Sequence, residues 1–242
     1  MSKNNDTKDV LSKDEKLQMK LSDFIFANRK VLIVIVGVIL VALIALGVVL
    51  YVNEKTTAKQ FAQISSLQTA YGQLLSEDPT ANGYQSKKDA LVADLNALSS
   101  SGGRKYPAVR AEYTLGLIYW DDKDYQQALE AFLDVNSRMP STYLGSLALF
   151  NAGAASEELG DDITALEYYQ QVLDNYDSES AKNSKLNSND AAPVAAKALF
   201  GIARLNEKSG NIDLAKASFQ KLADEFPSSE YGKLAQNRLL LL

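Results

Sequence analysis

Apolar residues fall into two regimes along this chain. From Val31 to Val52 they are unbroken, 22 residues without a charge. From residue 53 onward they recur every three or four positions. In a helix the first regime rises about 1.5 Å per residue and reaches about 33 Å, enough to cross a hydrocarbon core. It predicts a transmembrane anchor over 31–52. The second regime predicts paired helices. Phe61, Ile64, Leu67, Tyr71, Leu74 and Leu75 mark one face, and Ala90, Leu91, Leu95 and Leu98 another. Asp78-Pro79 and Asn82-Gly83 separate them, and Ser99 to Gly103 ends the second.

Beyond residue 105 a unit recurs. Leu115-Gly116, Tyr119, Tyr125, Ala128, Phe132 and Pro140 form the first copy. Leu149, Gly153, Gly160, Ala165, Tyr169, Val172 and Asp177 form the second, and Leu199, Ile202, Ala203, Gly210, Ala215, Phe219, Leu222 and Pro227 the third. The small residues allow two helices to approach, and the bulky ones fill the space beside them. The intervening turns are Asp121-Asp122-Lys123-Asp124, Gly160-Asp161-Asp162 and Ser209-Gly210-Asn211. The spacing resembles the tetratricopeptide repeat, a helix–turn–helix of about 34 residues. Ala128 to Ala165 is 37 residues and Ala165 to Ala215 is 50. A polar stretch, 178–192, holds the excess and reads as a mobile loop or a helix extended past the repeat, either a partner-specific insertion or a tolerated surface one. Ser228 or Ser229 caps a final helix, Glu230 to Leu242, that covers the last repeat.

The expected architecture is all-α: a single N-terminal transmembrane helix followed by a tetratricopeptide-repeat α-solenoid, with about nine helices outside the membrane and no strands. The boundaries read as a tail over 1–30, the anchor over 31–52, a degenerate helix pair over 53–105, and three repeats with a capping helix over 106–242. In the tail, residues 1–11 read as disordered. Ser12-Lys13-Asp14-Glu15 fits a capping box. Leu17, Leu21, Phe24 and Ile25 then share a face, either of a helix on the membrane surface or of an extension of the anchor.

Charge orients the chain. Residues 1–30 carry seven basic and five acidic groups, and the twenty residues after the anchor only Lys55 and Lys59 as bases. The positive-inside rule puts the N-terminus in the cytoplasm and the repeats outside. A cleaved signal peptide fits poorly, since its apolar core is only about 7–15 residues long. Residues 53–242 hold eighteen basic and twenty-five acidic groups, a balance unsuited to nucleic acid. Cysteine and histidine are both missing, so zinc fingers, thiol nucleophiles and histidine triads are excluded. Ser101-Gly102-Gly103-Arg104-Lys105 lacks phosphate-loop spacing, and Asp121, Asp122 and Asp124 lack that of a calcium loop. No cofactor and no catalysis are expected.

Binding then falls to the first helix of each repeat, whose inward residues line a groove. In repeat one these are Arg110, Tyr113, Leu117 and Trp120; in repeat two Leu147, Phe150, Ala154 and Glu157; in repeat three Lys197, Phe200, Arg204 and Lys208. Aromatics and arginine dominate binding energy at protein surfaces.

A charged N-terminal segment, one anchor and an exported repeat domain together resemble the bacterial ancillary SecYEG translocon subunit family, whose repeat domain is shared with a cell-division coordinator. Asp23-Phe24-Ile25 to Asn28-Arg29-Lys30 looks like that family's approach to its anchor, and Phe226-Pro227-Ser228-Ser229-Glu230-Tyr231 like repeats of envelope assembly proteins. The resemblance implies a bacterial inner-membrane adaptor contacting translocon subunits and periplasmic chaperones in protein export. The alternative is a self-associating envelope scaffold for cell-wall or division-site assembly.

Overall fold

The computed structural model describes residues 13–140, 142–177 and 188–242. Among them lie ten helices and no strand: α1 Lys13–Ala27, α2 Arg29–Leu74, α3 Tyr84–Gly102, α4 Tyr106–Asp121, α5 Tyr125–Arg138, α6 Tyr143–Glu158, α7 Asp162–Asp177, α8 Ser188–Lys208, α9 Ile212–Glu225 and α10 Glu230–Leu239. The chain divides into two compact units, Met1–Thr56 and Thr57–Leu242.

In the first unit, α1 is a helix in its own right. The capping box expected before it begins at Ser12, outside the described residues. Asn28 is a turn residue between α1 and α2. Its backbone N–H and its side-chain amide both donate to the Phe24 carbonyl, at 3.0 and 2.9 Å. A side chain that competes for backbone acceptors in this way interrupts a helix locally. From Arg29 onward the chain is helical through the whole apolar run, long and apolar enough to cross a membrane. Helix α2 does not stop at residue 52 but continues to Leu74. No glycine or proline occurs between Gly47 and Gly72, so nothing in the backbone ends it.

The second unit is a chain-ordered stack in which one core hands over to the next. Ile64, Leu67 and Leu74 of α2 pack with Leu91, Leu95 and Leu98 of α3 and with Ala111, Leu115 and Ile118 of α4. Helix α4 also sends Val109 into a second core with Ala128, Phe132 and Val135 of α5 and Ala148 and Ala152 of α6. Leu149 of α6 belongs to a third core, which runs through α7, α8 and α9 to Ala235 of α10. Ala148 and Ala152 are four apart and face one core, whereas Leu149 faces the other. A helix read by two neighbours buries two stripes, which is why the first helix of each repeat is so rich in small residues.

Several expectations need correction. Ala90 and Leu75 are exposed, Leu75 at 59 %, because Leu75 lies past the end of α2 and Val92 takes the packing position on α3. Helix α3 is not broken at Ser99 but runs on to Gly102. Ser99 is buried, and its hydroxyl donates to Glu112 at 2.5 Å, so the polar side chain is satisfied without leaving the helix. Of the two readings of 178–192, the extended helix holds from Ser188, which opens α8; residues 178–187 lie outside the described residues. Helix α10 ends at Leu239 rather than Leu242.

Candidate functional site

Helices α4, α6 and α8 each carry one aromatic that repeats in register. Tyr113, Phe150 and Phe200 sit nineteen residues before Phe132, Tyr169 and Phe219 of the following helix. The three ring pairs have centroids 5.6, 5.3 and 5.9 Å apart. Small residues make room for the second ring. A methyl group at Gly116 would meet the Phe132 ring at 2.7 Å, and one at Gly153 the Tyr169 ring at 2.5 Å. Gly201 of α8 does the same from the other edge of Tyr169, where a methyl group would meet the ring at 2.8 Å. Tyr113, Phe150 and Phe200 are half-buried on top of these pairs. Their inner faces are committed to the core and their outer edges are open to solvent.

Of the twelve residues expected to line a groove, eight with polar or aromatic contacts divide by neighbour. Phe150, Glu157, Lys197 and Arg204 come together across α6 and α8. The Lys197 ammonium lies 5.9 Å from the Phe150 ring centroid. Glu157 accepts from the Tyr169 hydroxyl at 2.6 Å and from Arg204 Nη2 at 2.6 Å. Lys208 joins the same row through Asp162 at 2.7 Å. The other four go elsewhere. Arg110 donates to Gln68 and covers the Tyr106 ring at 5.7 Å. Tyr113 accepts from the Asn151 amide at 2.9 Å. Trp120 packs edge-on against Tyr125 at 5.3 Å, and Phe200 meets Tyr231 at 5.5 Å.

The basic row of α8 is therefore a clasp between repeats two and three before it is anything else. Glu157 is only 13 % exposed in its side chain and is held from two sides, whereas Arg204 is 46 % exposed and keeps its remaining donors toward solvent. Charge on this surface is locally balanced. Arg238 likewise closes on Glu207, with Nε at 3.0 Å. The acidic turn after α4 is spent on structure too. Asp121 accepts from the Tyr71 hydroxyl at 2.6 Å, Asp122 pairs with Lys88, and Asp124 caps α5 through the Gln127 N–H at 3.2 Å. Burial, reinforced by the Glu157 carboxylate, pushes the Tyr169 hydroxyl above its ordinary range; burial and then Asp121 do the same to Tyr71.

Sequence reasoning missed Tyr169, Gly201 and Asn151 as parts of this surface. Tyr169 read as pure core, but its hydroxyl reaches the α6–α8 seam. Gly201 leaves no periodic trace, since its partner ring lies a repeat away. Asn151, the one polar residue in the stretch 147–155 of α6, was the visible signal.

Residues 113–180 and 197–229 each match the tetratricopeptide repeat family. A TPR repeat-containing protein of Treponema pallidum (strain Nichols) is 24 % identical over 240 residues, covering 93 % of this chain and 93 % of the relative. The matched segments hold helices α4 to α7 and α8 to α9, the units whose ring pairs repeat in register. The chain is an all-helical protein that carries tetratricopeptide repeats over these two segments behind a long apolar N-terminal helix.

Proposed function

We propose that this protein is a non-catalytic, membrane-anchored adaptor that binds other proteins through the first helices of its repeats. The carrying observation is the row of half-buried aromatics at one register position of three successive repeats. Each offers a rigid apolar edge beside partnered polar groups, the chemistry that favours protein contacts. Tetratricopeptide repeats in general mediate protein–protein interaction. The binding surface comprises Arg110, Tyr113, Trp120, Phe150, Glu157, Lys197, Phe200 and Arg204. Residues 31–52 are its anchor, with 53–105 as a degenerate first unit and 106–242 as the repeat domain. The N-terminus is cytoplasmic and the repeats lie outside the bacterial inner membrane. There the anchor raises the effective concentration of the repeats for membrane-bound partners. The resemblance to the ancillary translocon subunit family favours translocon subunits and exported chaperones as those partners. A self-associating envelope scaffold is the second reading.

Affinity purification of the full-length protein from gently solubilised membranes, quantified by mass spectrometry against a form lacking 53–242, tests this. Enrichment of export components only with the repeat domain supports the adaptor. Enrichment of cell-wall or division proteins, or of the protein itself, selects the scaffold. Replacing Lys197, Phe200 and Arg204 together should abolish capture while helicity by circular dichroism is retained. Capture that survives moves the binding surface to another face.

A further inference from the structure

We propose that α1 is a lipid-interface helix, with its Leu17–Leu21–Phe24–Ile25 stripe immersed at the boundary between headgroups and acyl chains of the bilayer that α2 crosses. The inference rests on α2 being the membrane anchor. Positions 17, 21, 24 and 25 follow the i, i+4, i+7, i+8 spacing of one helical face. Their side chains are 72, 60, 58 and 46 % exposed, so nothing in the described chain covers them. Met19 and Phe26, also exposed, fall on the opposite side of the helix, so the stripe is the face on which four apolar residues adjoin.

Three observations choose lipid as the occupant. First, the apolar surface continues without interruption into the span. Ile25 of α1 shares a shallow cleft with Leu32, Ile33 and Val36 of α2, and the only polar residue in its lining is Arg29. A surface continuous with a bilayer-facing helix meets the same solvent. Second, α1 and α2 are separated by a turn residue, Asn28, which gives α1 a point at which to leave the axis of α2. Asn28 takes the Phe24 carbonyl twice and stands outside both helices. An unbroken helix would carry α1 along the axis of α2 into water. Third, Lys16 and Lys20 lie on the polar side of α1, and Arg29 and Lys30 open α2. Long basic side chains of this kind keep their ammonium and guanidinium groups among phosphates while their stems cover apolar surface.

The chain contains no cysteine, so single labels go in without a background to remove. Full-length protein is reconstituted in vesicles of phosphatidylcholine and phosphatidylglycerol. Spin labels are placed one at a time through Leu17→Cys, Leu21→Cys, Phe24→Cys, Glu15→Cys, Gln18→Cys, Ser22→Cys and Leu40→Cys. Accessibility to oxygen should be at least twofold higher at 17, 21 and 24 than at 15 and 22, with 18, which borders Ile25 on the helix surface, in between. Accessibility to a water-soluble nickel chelate should show the reverse order. Equal values at all six α1 positions, with Leu40→Cys buried in lipid, overturn the proposal and leave the anchor standing. A water-accessible label at position 40 overturns the anchor and the proposal with it. A contrast seen in native membranes but not in pure lipid vesicles overturns lipid as the occupant and assigns the stripe to a protein.

Discussion

At the scale of single residues, the turn positions and ring sites carry clear expectations. The left-handed residue that joins the two helices of a repeat is Lys123 in repeat one, at φ 61°, but Gly160 and Gly210 in repeats two and three. A side chain in that conformation costs about 1 kcal/mol. Lys123→Gly should therefore raise stability by about 1 kcal/mol, and Gly160→Ala should lower it by a similar amount, both read from urea unfolding. Gly153→Ala places a methyl against the buried Tyr169 ring and should cost about 1–3 kcal/mol by overpacking. The phenols set an alkaline limit. Burial holds the Tyr169, Tyr71 and Tyr113 hydroxyls above the ordinary tyrosine range in the folded state. A raised folded pKa gives stability that is complete below about pH 10, the unfolded value, and lost as pH rises toward the folded one. Unfolding midpoints should fall above about pH 10, and Tyr169→Phe should make that fall shallower. A slope unchanged by Tyr169→Phe removes this residue from the account.

At the scale of elements, the start of a first helix is built twice in the same way. Thr142 accepts from the Gly145 N–H at 3.1 Å, and Ser229 from the Gly232 N–H at 2.9 Å. Both glycines also lie hard against a carbonyl of the preceding turn, Met139 and Phe226, where no side chain fits. The parallel makes α10 the opening helix of a further unit, capped like α6. Thr142→Ala and Ser229→Ala should each cost about 1 kcal/mol. The Ser229 change should act mainly on the C-terminal end, so amide exchange should accelerate in α10 before it does in α4. Simultaneous acceleration in both would mean that the stack unfolds as one body.

At the scale of the repeat domain, stability is a sum of neighbour contacts, and one seam has a polar reinforcement. Repeats two and three are separated by the longest connection, yet α8 is joined to α6 by Glu157–Arg204 and by Lys197 over Phe150, and to α7 by Lys208–Asp162. A double-mutant cycle on Glu157 and Arg204 should give a coupling of no more than about 1 kcal/mol, because the arginine is half exposed and solvent screens the pair. A larger coupling would mean that the pair is shielded by something not in this chain. The same contacts qualify the binding surface. Arg204 and Lys208 are paired with carboxylates at the seam, whereas Lys197 lies over the Phe150 ring, so the proposed surface keeps one cation on an aromatic face.

What the sequence determined by itself was everything carried by local period and composition. The 22-residue apolar run is contiguous, the turns are local, and Gly116 and Gly153 each lie 16 residues before the ring they accommodate, Phe132 and Tyr169, within a single helix pair. That proximity made the repeat units legible. What only the tertiary structure decided were relations between units. Gly201 faces Tyr169, Glu157 meets Arg204, and Asn151 holds Tyr113 across separations of 32, 47 and 38 residues. No periodicity encodes such contacts, because they arise from how one helix pair stacks on the next rather than from the pair itself. The continuation of α2 past residue 52 has a different, local cause: the apolar pattern changes there, but no glycine or proline between Gly47 and Gly72 ends the helix.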